Sequence, residues 1–260
     1  KKKFRNCKIY YLTSKSIYKN LPKKIENTKL IDDFIFFENN IFSYFKLIKK
    51  LKKYNFDTVY NLQEYSSNYR NLRNILFFYI VGIKNKIAFS IKQHSYSRLS
   101  ETIQITRRVE DKISKKKIFQ LSKIKAKKEK KFLKFNYISM SIGGFSQPKI
   151  WSISNWLKLI EEISKNYNYK IIITGTRNDI NNGLLLSSIN RKKIFSYCGK
   201  LSLNKLFNII KFSKLHITND NGSMHIATLY NKKTVCLFNN HDPKGKWIPI
   251  NNNAVILRSK

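Results

Sequence analysis

The stretch 215–225, Leu-His-Ile-Thr-Asn-Asp-Asn-Gly-Ser-Met-His, decides how this chain folds. Residues 215–218 are apolar or β-branched enough to read as a strand, and residues 223–229 read as a short helix, with a polar turn between them. A strand that passes through a Gly-bearing turn straight into a helix is the repeating unit of a parallel α/β sheet, because parallel neighbours are reached only by a crossover. The turn also has a chemical use. The first N–H groups of a helix have no partner inside it and sit at the positive end of its dipole, so an anion such as a diphosphate is favoured there. Gly222 lets backbone approach a ligand closely, Asn221 and Ser223 can add donors, and His225 in the first turn can reach a phosphate or a sugar hydroxyl. Taken alone, the same residues also fit a plainer account, with Asp220 as a helix cap and His225 as a packing side chain.

Working outward, the same rhythm fills residues 135–260. Residues 137–142 form an apolar strand ending in Gly143-Gly144, and Ser154 is expected to cap a helix with Trp156, Leu157, Ile160 and Ile163 on one side. Residues 170–174 read as a buried strand closed by Gly175. Ser202 caps a helix with Leu203, Leu206, Phe207 and Ile210 at helical spacing, and residues 234–238 form a further strand. A doubly wound sheet binds ligands at the carboxyl ends of its strands. Lys149, just beyond the strand that ends at Gly144, is therefore expected at the same crevice, where a cation would stabilise the charge on a departing diphosphate.

Five signals in order carry a resemblance: Lys149-Ile150-Trp151, Gly175 with Asp179, Gly199-Lys200-Leu201-Ser202-Leu203, Asp220 to His225, and Leu237-Phe238 with Asp242-Pro243. Each is weak alone, but as an ordered set they resemble the ADP-heptose:lipopolysaccharide heptosyltransferases, the family-nine glycosyltransferases, over residues 136–249. The resemblance implies that Lys149 contacts the donor phosphates and that Asp220, Asn221, Gly222 and His225 form the diphosphate and sugar pocket. It places Gly143 and Gly144 in a loop close to the phosphates, Leu201 against the adenine, and Asp179 on the ribose hydroxyls, although Asp179 also fits a helix-start role. Two positions depart from the family pattern: Asn221 replaces a Ser or Thr, and Asn239 stands where Gly is usual.

The resemblance further implies a GT-B architecture of two Rossmann-like α/β domains and an inverting transfer without metal or other cofactor. The donor expected is a nucleotide sugar, ADP-heptose or a related one, and the acceptor a lipid-linked lipopolysaccharide core oligosaccharide. No Asp-x-Asp pair occurs among the 15 acidic residues, which agrees with a metal-independent site.

The front half, residues 1–134, is read as an acceptor-side α/β domain plus a charged connection, and residues 135–260 as the nucleotide-sugar-binding domain. Strands are expected at 8–12, 58–62 and 86–90, and helices at 41–53, with Phe42, Phe45, Leu47, Ile48 and Leu51 on its apolar face, and at 69–81. Residues 54–63 match a family strand in part, leaving Gln63 and Arg70 as candidates to face an anionic acceptor or simply water. The family places its general base in a Gly-Asp pair after the first front strand. No such pair occurs here, and the strand at 8–12 aligns with the family's second, so the front domain is expected to be incomplete, with its base upstream of Lys1. Asp57 and Glu64 are the candidates if the base lies within these residues.

Composition sets the outer bounds. A chain of 260 residues with 42% hydrophobic residues can bury two modest cores. Its longest apolar run, 75–82, is far short of the roughly 18 residues that suggest a membrane span, and no secretory signal follows the basic residues 1–5. A cytoplasmic protein is expected, with peripheral contact at the inner membrane as an addition. Cys7, Cys198 and Cys236 are spaced for neither disulfides nor zinc and are read as core thiols. The net charge of +37 has two explanations: an anionic partner, or the Lys, Ile, Asn, Phe and Tyr excess of an A/T-rich coding sequence. The Lys-rich run 121–131 contains no aromatic residue to stack on bases, so no specific nucleic acid is expected. The alternative function is a basic membrane- or nucleic-acid-binding protein that keeps the fold without catalysis.

Overall fold

The computed structural model describes residues 7–14, 31–38, 40–63, 68–89, 101–107, 130–144, 146–240 and 245–259. Most of the run 121–131, Glu64 and Asp242-Pro243 lie outside these residues. The chain divides into two compact units, Lys1–Ser95 and Tyr96–Lys260.

In the first unit, β1 (Tyr10–Ser14) pairs in parallel with β2 (Asp33–Phe37), setting Leu12 opposite Ile35. After α1 (Ile41–Tyr54), β3 (Thr58–Tyr60) pairs in parallel with β4 (Asn85–Ile87) across the intervening α2 (Asn68–Val81). Ile35, Leu47, Leu51, Val81 and Ile83 form the core. β2, Asp-Phe-Ile-Phe-Phe, escaped the sequence reading because acidic and amide residues crowd both its ends. The buried face of α1 also differs from expectation. Leu47 and Leu51 point inward and Tyr44 meets Phe77 at 6.0 Å, whereas Phe42 and Phe45 are 76% and 63% exposed. The inward stripe is thus Tyr44, Leu47, Ile48 and Leu51, a true i, i+3, i+4, i+7 set, with Phe45 about a third of a turn and Phe42 about half a turn away from it. On α2 the outward stripe is also apolar, formed by Tyr69, Leu72, Leu76, Tyr79 and Ile80.

The second unit begins with α3 (Glu101–Arg107) and then winds a six-stranded parallel sheet. Its strands are β5 (Tyr137–Ser141), β6 (Lys170–Thr174), β7 (Ile194–Ser196), β8 (His216–Asn219), β9 (Thr234–Phe238) and β10 (Ala254–Arg258), in the order β10-β9-β8-β5-β6-β7. The chain builds outward from β5 to β7, returns to the other side of β5 with β8, and builds outward again. This is the order of a dinucleotide-binding Rossmann sheet, and the switch point lies between β5 and β8. The helices α4 (Ile153–Asn166), α5 (Ile180–Ser188), α6 (Leu203–Phe212) and α7 (Gly222–Leu229) make the crossovers.

Two local expectations are corrected here. Ser152, not Ser154, caps α4 by accepting from the Asn155 N–H, because the helix starts two residues earlier, at Ile153. On α6, Leu203 is exposed while Ile209 is fully buried. That helix packs on two sides: Phe207 and Ile210 meet Ile226 and Ala227, and Ile209 meets Tyr137 and Ile172, so a single apolar stripe does not describe it. Cys198 and Cys236 are core thiols as expected, but Cys7 is exposed at the start of β1's approach, where no layer covers it.

Trp156 on α4 is fully buried among Ile142, Ile160 and Ile173, and its indole Nε1 has no hydrogen-bond partner among the described residues. Trp156→Ala is expected to cost about 3–5 kcal/mol of stability through the cavity it leaves. Trp156→Phe should cost much less, since it keeps most of the packing and removes an unpaired polar group. Urea unfolding midpoints of the two variants check this order.

Candidate functional site

The crevice at the switch point is assembled by two asparagine amides. Asn219, the fully buried last residue of β8, donates from Nδ2 to the carbonyls of Ile142 at 2.7 Å and Gly143 at 3.3 Å, and its Oδ1 accepts from the Trp151 N–H at 3.3 Å. Asn221 caps α7: its Oδ1 accepts from the Ser223 N–H at 2.9 Å, while its Nδ2 donates to the Gly143 carbonyl at 2.7 Å. The loop after β5 is thereby fastened to the start of α7. The sequence reading gave Asn219 no role, although an Asn closing an otherwise buried strand was a visible signal. It also expected Asn221 to offer its donor outward, and that donor is engaged on Gly143.

Against this frame stands an ion pair. Lys149 ends a short 3-10 turn, Gln147–Lys149, and its Nζ lies 2.6 Å from Asp220 Oδ2, with side chains only 16% and 7% exposed. Residues 71 positions apart in the chain, both singled out from sequence, are thus joined. Gly222 opens α7 and is exposed, and a Cβ built there meets nothing within 4 Å, so no contact among the described residues requires glycine. His225, one turn into α7, meets Trp247 edge-on at 6.1 Å. Burial lowers the His225 pKa below its ordinary value; the Asp220 charge opposes this and the Lys149 charge adds to it, so the imidazole shares the field of the pair.

Asp179 takes the helix-start role. It closes a capping box, its Oδ2 accepting from Thr176 N and Oγ1, both at 2.7 Å. It is also wedged between two loops: a Cβ on Gly143 would come 2.5 Å from its Oδ2, and one on Gly175 would come 2.7 Å from its Cβ. Gly144 is tight as well, with Ile150 Cγ1 at 3.0 Å from an added Cβ. Leu201, by contrast, is half-buried against Tyr137, Ile172 and Ile209. In the first unit Asp57, Gln63 and Arg70 are exposed.

Beneath the crevice runs a buried polar chain that the sequence reading missed. His216, fully buried, has Nδ1 2.8 Å from Ser139 Oγ and Nε2 3.0 Å from Ser223 Oγ. Burial pushes its pKa down to about 3, outweighing the upward pull of a backbone contact at Ser139, so this imidazole is neutral.

A Rossmann-ordered parallel sheet with a cation at its switch point, in a chain with a second α/β unit, has the α/β architecture of the GT-B class. The family model "Glycosyltransferase family 9 (heptosyltransferase)" matches residues 44–260, and the chain belongs to that family. A lipooligosaccharide heptosyltransferase 2 of Campylobacter jejuni is 33% identical over 99 residues, a match that spans 36% of this chain and 30% of that protein's length. Among solved structures, the family 9 glycosyl transferase of Veillonella parvula superposes with a TM-score of 0.70 at 16% identity, covering 97% of this chain and 77% of that one. E. coli heptosyltransferase WaaC with ADP gives 0.67 at 13% identity, covering 100% and 86%. These likenesses concern the fold.

The two buried imidazoles predict an acid weakness. Both His216 and His225 are held neutral, so below the ordinary histidine value of 6.5 the unfolded chain binds protons that the folded chain does not. Stability is fully present above 6.5 and declines as pH falls toward about 3, the folded value for His216. The urea midpoint is expected to hold steady from pH 8 to about 7 and then drop toward pH 5, still above the ordinary carboxylate range of about 4. That drop should shrink in His216→Gln, and a midpoint flat down to pH 5 would mean the imidazoles charge in place.

Proposed function

We propose that this chain is an inverting glycosyltransferase that moves heptose from ADP-heptose to a lipid-linked lipopolysaccharide core oligosaccharide. Residues 135–260 hold the donor and residues 1–134 face the acceptor. The observation that carries this reading is the Lys149–Asp220 pair at 2.6 Å beside the open N-terminus of α7 at Gly222. A diphosphate placed there meets the positive end of the α7 dipole at the exposed Gly222 and the Lys149 ammonium, which together neutralise it without a metal or other cofactor. Asp220 is directed to donor sugar hydroxyls, and neutral His225 serves as a hydrogen-bonding partner beside them. Asp179 takes the ribose, Leu201 the adenine, and the Gly143-Gly144 loop lines the phosphates. The adenine nucleotide is supported by WaaC, whose structure is described with ADP.

In the reaction, the acceptor hydroxyl oxygen bonds to the anomeric carbon as that carbon's bond to the diphosphate oxygen breaks, inverting its configuration. The hydroxyl proton passes to a base that the family resemblance assigns to the front domain, and the electron pair leaves on the diphosphate held by Lys149 and α7.

The donor half of this reading is tested by binding. ADP should raise the melting temperature more than UDP or GDP at equal concentration, by mass action on the folded state. Lys149→Ala should lose about 1–3 kcal/mol of affinity for ADP, the worth of a charge-assisted contact, and almost none for adenosine. Equal losses for both ligands would remove Lys149 from the phosphate site.

The acceptor is lipid-linked, so we place the enzyme at the cytoplasmic face of the inner membrane, in peripheral contact with it. Among the described residues no helix is long and apolar enough to cross a membrane. Support for surface contact comes from α1 and α2, which expose Phe42, Phe45, Tyr69, Leu72, Leu76 and Tyr79 and contain no acidic residue, while α1 carries Lys46, Lys49, Lys50, Lys52 and Lys53. Aromatic and Lys side chains together suit an anionic interface. Vesicles rich in anionic lipid should bind the protein at low salt and release it as salt rises, with neutral vesicles binding poorly. No binding to either would return the +37 charge to coding bias.

A further inference from the structure

The polar chain under the crevice has a direction, and the direction can be worked out from the donors and acceptors alone. β8 is buried along its whole length, where apolar side chains would pack at no polar cost, yet it carries His216 and Thr218. His216 bridges Ser139 on β5 to Ser223 in the first turn of α7. Ser223 Oγ in turn lies 2.6 Å from Asn221 Oδ1 and 2.8 Å from Thr218 Oγ1.

The orientation of the Asn221 amide is the fixed point. The Gly143 carbonyl can only accept, so Nδ2 faces it, and the Ser223 N–H can only donate, so Oδ1 faces that. Oδ1 has no proton of its own, so its 2.6 Å contact with Ser223 Oγ uses the single hydroxyl proton of Ser223. Ser223 Oγ can then only accept from the imidazole. The proton of neutral His216 is therefore on Nε2, and bare Nδ1 takes the hydroxyl proton of Ser139. Thr218 Oγ1 donates to the Asn219 carbonyl at 2.8 Å and lies beside Ser223 Oγ without deciding where the Ser223 proton goes. Donation runs one way, from Ser139 through His216, Ser223 and Asn221 to the Gly143 carbonyl.

We infer that His216 is a positioning residue: as the Nε2–H tautomer it aims the Ser223 hydroxyl at the Asn221 amide, which holds the Gly143 loop against the N-terminus of α7. Its consequence for ligand binding rests on the donor site proposed above; the assignment of the proton does not. An Asn at position 221 suits this arrangement, because a Ser or Thr hydroxyl could cap α7 but carries no second group to reach Gly143. His216 touches no ligand. It acts by keeping the loop and the helix start in one geometry before a diphosphate arrives.

Two measurements test it. Long-range nitrogen–proton correlation spectra of the whole chain, with His216 identified by the signal lost in His216→Gln, should show its proton on Nε2. A proton on Nδ1 overturns the inference whatever the ligand data say. Ser223→Ala cuts the chain while leaving the Asn221 cap in place, and is expected to weaken ADP binding roughly five- to tenfold, the equivalent of one hydrogen bond, with adenosine binding unchanged. Ser223→Thr, which restores the hydroxyl, should recover most of the loss. If Ser223→Ala only lowers the melting temperature and leaves the ratio of ADP to adenosine affinity as it was, His216 is a packing residue and the inference fails. If the unaltered chain does not bind ADP at all, the donor reading fails instead, and the tautomer alone decides the role of His216. The tautomer measurement needs no variant beyond the one used for assignment, so it stands even if Ser223→Ala does not fold.

Discussion

The pairing of β5 with β8 organises everything else in the second unit. Ser139, Met140 and Ser141 stand opposite His216, Ile217 and Thr218, and on this seam the chain changes the direction in which it adds strands. Loops leaving two such strands diverge, and the backbone groups at their ends lose ladder partners that burial obliges them to replace. Asn219 and Asn221 supply the replacements on the Ile142 and Gly143 carbonyls. Each bond contributes only about 0.5–1.5 kcal/mol net, but leaving one of those carbonyls buried and unpaired would cost about 1–3 kcal/mol. The need to satisfy its own backbone thus ties the loop after β5 to the start of α7.

The ion pair across the mouth follows from the same frame. Trp151 is tied by its N–H to Asn219, which sets the preceding turn and brings Lys149 to Asp220. A pair this sheltered loses much of its Coulomb gain to desolvation, so its net contribution to stability is small. What it achieves is geometric. The ammonium is held near the helix N-terminus at little further entropic cost, and in the proposed donor complex it would meet a diphosphate from the position it already occupies. Asp179, wedged between Gly143 and Gly175, fixes the far side of the same loop, so the loop after β5 is fastened from both flanks.

The two units differ in how much they bury. β5 is buried at every position, and α4, α6 and α7 cover the sheet with Trp156, Phe207, Ile210 and Met224. Among the described residues the first unit has a core cluster of five buried hydrophobic residues and leaves aromatic side chains of α1 and α2 exposed. Exposed apolar side chains on α1 and α2 beside the Lys residues of α1 are what the proposed contact with an anionic lipid surface would use.

Local chemistry was readable from residue order wherever it depends on neighbours in the chain. The Ser202 cap, the strands Lys170–Thr174 and Thr234–Phe238, and the turn from Asp220 into α7 rest on periodicity and capping within a few residues, and all are present. The resemblance carried by five short motifs extended that legibility to the family. Where two local patterns compete, the sequence alone misplaces a boundary by two residues, as between Ser152 and Ser154, or favours the wrong stripe, as with Phe42 and Phe45 on α1. Strand order lay beyond local patterns altogether, and with it every contact made across the sheet. Lys149 meets Asp220 over 71 positions, Ser139 meets His216 over 77, and Asn221 meets Gly143 over 78. Residue types named the candidates, but periods of 2 and 3.6 residues carry no information about which strand lies beside which. Folding decided that Asn221 would spend its donor on the loop, that Asp179 would sit between two glycines, and that His216 would be buried neutral, because each depends on β8 returning to the side of β5.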